Sequence, residues 1–232
     1  MDRRELIGAL SSLGFGAGFN AAVMADHESK SEATAGPAAG LHAHFCGIHV
    51  AKHDPKIQLI VQHYCGGRKN MHQCLLFDSS EKDAKLIGVE YIVPDDVYRG
   101  FDEKEKKFWH PHTYEVLAGG LIAPEMKPEG ELEFMKVILT TWGKTWHTWP
   151  NPATDYPIGE PMLMWAVTGD GQIDDKVIAQ RDKLYGVKGE KIREKRIKEF
   201  GFAVPQVPFP ASTDQVGRQW TKDGQDKPTK VE

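Results

Sequence analysis

The sequence lacks most of the cysteine patterns and short motifs from which a function is usually assigned. It contains three cysteines and no Cys-x-x-Cys pair, so neither a zinc ribbon nor a disulfide framework is indicated. Cys46, Cys65 and Cys74 are expected to be small buried thiols, although a bridge between Cys65 and Cys74 is permitted in an oxidising compartment. No Gly-x-Ser-x-Gly, P-loop or Gly-x-Gly-x-x-Gly motif stands between a strand and a helix, which argues against the common hydrolases and nucleotide-binding proteins.

An excess of one charge is also missing. The chain has 29 Lys and Arg residues against 33 Asp and Glu residues, for a formal net charge of −4. Nucleic acid or an acidic membrane surface would therefore have to be met by a local patch. The most basic segment, residues 188–199, is interpreted as a solvent-exposed helix face with i, i+4 ion pairs. We therefore predict no nucleic-acid partner.

No apolar run is suited to crossing a membrane, because the mildly apolar N-terminal segment contains many Gly, Ser and Asn residues. That segment, residues 1–25, instead resembles a twin-arginine export leader. Arg3 and Arg4 precede the apolar run, and residues 23–25 offer a small-residue cleavage site. This pattern predicts a periplasmic or exported protein with no transmembrane span in the mature chain. If the segment is only a frayed or amphipathic N-terminus, the protein is expected to be cytoplasmic.

Composition also predicts the domain boundaries. Residues 26–40 are rich in Ser, Ala and Gly and are interpreted as a linker. Residues 41–200 are expected to form one domain, and the Pro-rich, polar residues 201–232 an extended C-terminal tail. The oligomeric state does not follow from the sequence.

The secondary-structure pattern favours a single α+β domain with a mainly antiparallel sheet and flanking helices. Short segments rich in β-branched and aromatic residues alternate with turns, as expected for strands. Asp102 followed by Glu105 forms a capping box, which predicts a short helix. The other predicted helices lie at 130–143, 174–186 and 188–201. The predicted strands are 56–65, 72–78, 85–93 and 113–124, and strand character returns at 146–149 and in 161–174, which ends in a turn at Asp170 and Gly171.

Histidine is the one residue type in clear excess. Nine of the ten histidines lie between His42 and His147. Side chains alternate along a strand, so His42, His44 and Cys46 are expected on one face, and a bend at Gly47 would return His49 to it.

Two further clusters come later in the chain. His110 and His112 form a second His-x-His pair, and Glu115 reaches their face if Pro111 or a bulge breaks the alternation. His147 lies between tryptophans in the sequence, and we expect their side chains to surround it and exclude water. These tryptophans are Trp142, Trp146 and Trp149.

Paired histidines on a rigid element can hold a metal ion, with a carboxylate and a third histidine completing the site. Our hypothesis is a transition-metal site, with zinc or iron the expected ion, and Glu115 acting as ligand or catalytic base. Metal-assisted hydrolysis or oxidation of a small or lipid-like substrate is the corresponding reaction class. The predicted metal ligands are His110, His112 and His147, with His44 and His49 as further candidates.

Two other interpretations stay open. In the first, the histidines are structural and the protein is a non-catalytic lipid- or partner-binding module with an apolar, tryptophan-lined cleft. In the second, Cys46 or Cys65 is a nucleophile activated by a histidine. The cleft of the first interpretation would contain Trp109, Trp142, Trp146, Trp149 and Trp165.

The segment from His110 to Gly120 resembles the first motif of cupins, which combines His-x-His, a glutamate and a glycine. Only Thr113 and Tyr114 separate the second histidine from Glu115, where cupins usually have three or four residues. The second cupin motif is not convincingly present. A cupin-like β-barrel is therefore the alternative fold.

Seven sequence blocks, in order, resemble the oil-body-associated proteins, a domain of unknown function with plant, fungal and bacterial members. The resemblance covers about residues 41–187 and identifies the chain as a bacterial-type member. Plant members are associated with seed lipid droplets, which we do not transfer to this chain. Gln62 stands where plant members tend to have a histidine. The blocks are HAHFCGIH, HYC, QCLLFD, LIGVEYIV, WHPHTYEV, GKTWHTW and RDKLYG. The residues matching the family's His-rich blocks are His42, His44, Cys46, His49, His63, His110, His112, Glu115 and His147.

Overall fold

Six antiparallel strands close into a barrel. The structure, a computed structural model, describes residues 36–201 and two short strands near the C-terminus. A boundary between Ala39 and Gly40 separates two units, and the second unit contains the barrel. The predicted leader lies outside the described residues, as do most of the predicted linker and most of the predicted tail. Among the described residues, no helix combines the length and the apolar character needed to cross a membrane.

The strands of the barrel are joined in the order β4-β3-β2-β1-β7-β6, and β6 pairs again with β4 to close it. The two-residue strand β5 extends the sheet along β6. Strands β8 and β9 form a separate two-stranded sheet. The bounds are β1 Ala43–Ala51, β2 Gln58–Arg68, β3 Met71–Phe77, β4 Leu86–Pro94, β5 His110–Pro111, β6 Thr141–His147, β7 Met162–Ala166, β8 Arg218–Trp220 and β9 Asp226–Pro228.

The helices after Asp102, Asp174 and Lys188 lie where the sequence predicts. The helix predicted at 130–143 instead spans Pro128–Ile138, because residues 141–143 belong to strand β6, and the helix Asp95–Arg99 was not predicted. The Asp102 carboxylate accepts a hydrogen bond from the Glu105 amide, and Asp174 likewise caps its helix. Gly186 ends that helix in the left-handed conformation, at φ +62°. The helices are α1 Asp95–Arg99, α2 Glu103–Lys106, α3 Thr113–Leu117, α4 Pro128–Ile138, α5 Asp175–Tyr185 and α6 Gly189–Phe200. The residues Pro37–Gly40 form a 3-10 turn.

The predicted strand at residues 113–124 is wrong. Residues Thr113–Leu117 form helix α3, because His112 already has helical dihedrals and its carbonyl accepts from the Val116 amide. Only an isolated bridge between Cys46 and Ile122 keeps strand-like pairing there. A short apolar run does not by itself distinguish a strand from a buried helix, which explains the error.

Helix α6 is also more than a solvent-exposed basic face. The Arg196 side chain is 1% exposed and donates hydrogen bonds to the carbonyls of Val116 and Leu121. A second guanidinium nitrogen pairs with Glu131 at 2.7 Å. The helix therefore supports the segment that contains α3, which carries Glu115.

Paired residues of neighbouring strands point to the same face, so the register defines the barrel interior. Its apolar part includes Phe45, Val61, Leu76 and Ile92, against which helices α3 and α4 pack. Cys65 and Cys74 are cross-strand partners and form a disulfide, so only Cys46 of the three cysteines is a free thiol, and it is buried. Two smaller clusters cover the outer surface of the barrel.

Candidate metal centre

The polar part of the barrel interior comes from four strands. His49 lies on β1 and His63 on β2, where it pairs with the inward-facing Phe45. Glu90 on β4 pairs with Thr145 on β6, and His147 follows Thr145 by two residues on the same face. All five side chains are buried. So many buried polar groups in one place require hydrogen-bond partners, charges of opposite sign or a bound ion.

His110 and His112 join this group from β5 and from the start of α3. His110 pairs with Gly143 of β6. Helix α3 begins directly after His112, which places Glu115 three residues further along the same helical face. The distance from His112 Nε2 to Glu115 Oε1 is 3.9 Å. The start of a helix, rather than a strand bulge, thus brings Glu115 to the histidine pair.

Glu90 stands at the centre of the cluster. Its Oε1 lies 3.3 Å from His110 Nε2 and 3.4 Å from His112 Nε2, while its Oε2 lies 3.1 Å from His63 Nε2. The Thr145 hydroxyl donates to Oε1 at 2.8 Å. Burial by itself raises the pKa of Glu90, but the contacts with His110, His112 and His63 outweigh it and hold this pKa well below its usual value. Glu90 is therefore an ionised carboxylate among imidazoles.

Hydrogen bonds fix which ring nitrogen faces Glu90. His63 Nδ1 lies 3.2 Å from the Val61 carbonyl, which can only accept, so Nδ1 carries a hydrogen. The Thr141 hydroxyl donates to the Ile138 carbonyl, so it accepts from His112 Nδ1, 2.8 Å away. When either ring is protonated, its Nε2–H donates to the Glu90 carboxylate; when it is neutral, the lone pair on Nε2 is free for a metal ion. Histidine ligands of metals are oriented in this way, through a hydrogen bond at the other nitrogen.

Gly143 marks the point on which three of these atoms converge. A Cβ atom at this position would lie 2.3 Å from Glu90 Oε1, 2.6 Å from His112 Nε2 and 2.7 Å from His110 Nε2. These distances approach the ~2.0–2.2 Å of zinc–nitrogen and zinc–oxygen bonds. Glycine is the residue that leaves this space to the three side chains.

A second set of potential ligand atoms adjoins the first. His49 Nε2 lies 3.0 Å from His63 Nε2, and both belong to a group with Glu90 whose ligand atoms lie within 4.8 Å of one another. His147 Nε2 contacts His49 Nδ1 at 3.0 Å. The two sets share Glu90.

The environment sets the charge of the histidines. Burial lowers the pKa of His110 to about 4 and that of His147 to about 3, and it places the pKa of His49 well below its usual value. Burial also acts to lower the pKa of His112, but its contacts with Glu90 and Glu115 raise it overall. Neutral imidazole is the form that binds metal ions.

A cavity of about 130 Å³ leads to this cluster. Its outer part includes the exposed His42 and Gly67, and its walls are largely apolar. The apolar wall residues include Phe45, Ile92, Leu121, Phe134 and Ile138. Glu115 lies at the inner end of the cavity, and burial is the main cause that raises its pKa, to about 7. The polar inner end consists of His63, Glu90, His112 and Glu115.

The structure brings together His49, His110, His112, Glu115 and His147 of the sequence-predicted site. It does not bring His44 to them. His44 and His49 are an odd number of residues apart on one continuous strand, so they face opposite sides, and Gly47 does not reverse this.

The expected shared face of His44 and His49 was therefore wrong. The ring of His44 lies between Gln62 and Glu125, with both nitrogens 2.9 Å from a side-chain oxygen, and it stacks on Tyr64. His147 was predicted to be a direct metal ligand, but its Nε2 contacts His49 Nδ1 and it belongs to neither group of convergent ligand atoms.

The expected tryptophan wall around His147 was wrong as well. Trp142 and Trp146 alternate with His147 along β6 and point to the outer face. Trp142 stacks on Tyr98 with ring centroids 3.6 Å apart. The five tryptophans divide among three separate clusters, so they do not line a single cleft.

Sequence reasoning missed Glu90 as a site residue and used His63 only as a family match. Glu90 is the only charged residue within Leu86–Pro94, an otherwise apolar strand. Because side chains alternate along a strand, Glu90 points to the same face as Gly88 and Ile92, two residues away on either side, and that face is the barrel interior. A lone carboxylate on the inner face of a strand was the available signal.

Comparisons with known proteins match the same blocks of sequence. Residues 35–199 match the family described as "Protein of unknown function (DUF1264)". Oil body-associated protein 1B of Arabidopsis thaliana is 35% identical over 162 residues, covering 69% of this chain and 67% of the relative. Oil body-associated protein 1A of Zea mays is also 35% identical, over 69% of this chain and 68% of the relative. No solved structure matches. The chain therefore belongs to the oil body-associated protein family, whose shared domain has no assigned function.

Proposed function

We propose that this protein binds a transition-metal ion, zinc or iron, through Glu90, His110 and His112. The observation that carries the proposal is the position beside Gly143, which lies 2.3–2.7 Å from one carboxylate oxygen and two imidazole nitrogens. Two histidines and one carboxylate form the ligand set of many catalytic zinc sites and of non-haem iron(II) oxygenases. Such sets leave coordination positions open for water or substrate.

The arrangement around this site supports metal-assisted hydrolysis or oxidation. A bound ion of this kind would supply Lewis acidity and would lower the pKa of a bound water. Glu115 lies at the inner end of the cavity beside His112, where it can accept a proton from a reacting group. Ionised Glu90 and neutral His110 provide the charge and lone pairs that a divalent ion requires. Glu115 is thus the proposed base, with direct ligation as the alternative role.

We propose that the substrate is a small molecule, or one end of a lipid-like molecule, with an apolar part. The cavity has apolar walls and a polar inner end, so it favours a ligand whose reactive group points to Glu90. Cavities of about 150 Å³ hold a benzene-sized molecule, which limits the part that can enter. The relatives are named for their association with oil bodies, and a lipid-like ligand of this chain is consistent with those names.

Elemental analysis tests the metal proposal. The full chain is purified without a tag, loaded separately with Zn²⁺ and with Fe²⁺, and dialysed. We expect retention of metal by the wild type and its loss in Glu90→Gln, where the carboxylate charge is absent. His53→Ala changes an exposed histidine and serves as the control that retains metal. Equal retention by Glu90→Gln and the wild type would refute the assignment of Glu90.

We also propose an oxidising compartment for the mature protein. The Cys65–Cys74 disulfide supports this proposal, because such bonds persist outside reducing compartments. The twin-arginine pattern before residue 26 supports export, and the division into linker, α+β domain and tail stays as predicted from composition. A mass spectrum of the protein from its native host tests the leader. A mature N-terminus near residue 26 is expected, and an intact Met1 excludes removal of the leader.

A further inference from the structure

Glu90 directs its two oxygens to different sets of histidines. Oε1 lies closest to His110 and His112, whereas Oε2 lies 3.1 Å from His63 Nε2. We infer that Glu90 bridges two metal ions, the second being held by Glu90 Oε2, His49 Nε2 and His63 Nε2. This inference rests on the proposed function, because the first ion is the one described above. Carboxylate oxygens commonly serve two-metal sites whose ions are ~3.5–4 Å apart.

The spacing of the second set fits ligands of one ion. Two atoms bound to the same ion at ~2.1 Å, with the angles of a tetrahedral or octahedral site, lie ~3.0–3.4 Å apart. The separation of His49 Nε2 from His63 Nε2 is 3.0 Å, and that of His63 Nε2 from Glu90 Oε2 is 3.1 Å. All three atoms belong to buried side chains that face the interior of the barrel, from strands β1, β2 and β4.

The hydrogen-bond pattern around His63 gives an independent reason. Its Nδ1 hydrogen is directed to the Val61 carbonyl, so a neutral ring has no hydrogen for Glu90 Oε2. In that neutral ring a lone pair faces a carboxylate oxygen at close range, whereas a proton or a metal ion between the two atoms removes the repulsion. A cation bound by both atoms converts this repulsion into two favourable contacts.

His147 completes the arrangement as a positioning residue. Its Nε2 lies 3.0 Å from His49 Nδ1, on the side of the ring opposite to the second set. When His147 Nε2 donates to His49 Nδ1, the neutral His49 ring carries its hydrogen on Nε2. That hydrogen can then be donated to His63 Nε2, so the three imidazoles form a hydrogen-bonded chain. When His49 Nδ1 donates instead, the Nε2 lone pair of His49 is available to a metal. The two tautomers therefore distinguish a hydrogen-bonded chain from a ligand.

The second ion would give the inner end of the cavity two adjacent cations. His63, Glu90 and His112 all line that end, so ligands of both ions border the same space. An oxygen-bearing group of a substrate, such as the carbonyl of an ester or the oxygens of a phosphoester, can contact both ions there. The apolar walls would hold the remainder of the molecule.

Metal stoichiometry measured with Zn²⁺ tests this inference. The full wild-type chain is expected to bind about two ions, as a two-metal site requires. His49→Asn is expected to retain only the ion at His110 and His112, and His110→Asn only the ion at His49 and His63. His53→Ala, on the exposed surface, is the control and should match the wild type. Circular dichroism of each variant establishes that the barrel is intact.

The outcomes separate the two proposals. A wild type that binds one ion, with that ion retained in His49→Asn, overturns the two-metal inference and leaves the proposed function standing. A wild type that binds none refutes both. If His49→Asn does not fold, the Co²⁺-loaded wild type decides by electron paramagnetic resonance. A magnetically coupled pair is expected, and the spectrum of isolated Co²⁺ at full loading overturns the inference.

Discussion

His44 and His49 lie on one strand, are both buried, and have opposite surroundings. The ring of His44 faces outward, between Gln62 and Glu125, where each nitrogen has a side-chain oxygen at 2.9 Å. The ring of His49 faces inward, where both of its nitrogens meet other imidazoles at 3.0 Å. Burial of a histidine therefore does not indicate a metal ligand. The chemistry of the groups that face it does.

The same contrast separates the two faces of β6. Gly143, Thr145 and His147 face the interior and adjoin Glu90, His110 or His49, whereas Trp142 and Trp146 belong to outer clusters. One face of this strand thus carries the polar site and the other carries apolar packing. Substitutions on the two faces are expected to affect metal binding and stability separately.

The largest effect on metal binding is expected from Gly143→Ala. The added Cβ would lie 2.3 Å from Glu90 Oε1 and would occupy the space on which three ligand atoms converge. We expect affinity for Zn²⁺ to fall by more than ~100-fold, as measured by competition with a chelating dye. Gly130→Ala is the matched control, because its Cβ meets nothing within 4 Å and should leave affinity unchanged. Unchanged affinity in Gly143→Ala would place the ion elsewhere.

A smaller effect is expected from Thr141→Val, which removes the hydroxyl that orients His112. Loss of the group that holds a ligand histidine typically lowers metal affinity ~10–100-fold. Thr113→Val is the control, since the Thr113 hydroxyl is also buried but donates to the Leu139 carbonyl. Isothermal titration with Zn²⁺ measures both variants. Equal losses in the two variants would mean that the effect is on general stability.

Glu115→Gln should change metal binding less than either substitution above. Glu115 Oε1 is 3.9 Å from His112 Nε2, and Glu115 does not belong to either group of convergent ligand atoms. We expect the number of bound Zn²⁺ ions to equal that of the wild type, as determined by elemental analysis. Loss of an ion in Glu115→Gln would instead make Glu115 a ligand.

His44→Ala is expected to leave metal binding unchanged and to reduce stability. It removes the imidazole that interacts with Gln62 and Glu125 and leaves the buried Gln62 with one partner fewer. A lost interaction of this kind costs about 1–3 kcal/mol of unfolding free energy. Urea unfolding and Zn²⁺ titration test the two halves of this prediction. Weaker Zn²⁺ binding in the folded variant would show that the outer face also contributes to the site.

Local chemistry made much of the fold predictable. Asp102 and Asp174 cap helices where their spacing indicates, and the three segments before residue 94 are strands that pair as neighbours. Closure of the sheet through β4 and β6 did not follow from these strand patterns, because that pairing joins residues far apart in the chain, and a barrel was raised only as the cupin-like alternative fold.

The site was predictable in part for a related reason. The histidine pair at His110 and His112 gave its own signal through spacing, whereas Glu90 acquires its importance from histidines on three other elements. The face of His44 was misjudged because a bend at Gly47 was assumed, and the surroundings of His147 were misjudged because Trp142 and Trp146 were expected on its face. Strict alternation along β1 and β6 would have given both directions correctly.

Metal binding by Glu90 and its surrounding histidines is tested most directly by the metal content of the protein. The untagged full-length chain is loaded with Zn²⁺ or Fe²⁺, dialysed and analysed for bound metal. We expect at least about one equivalent of one of these ions in the wild type and its loss in Gly143→Ala, because the ligand space is then filled. Less than about a tenth of an equivalent in the folded wild type after loading would contradict metal binding at this site.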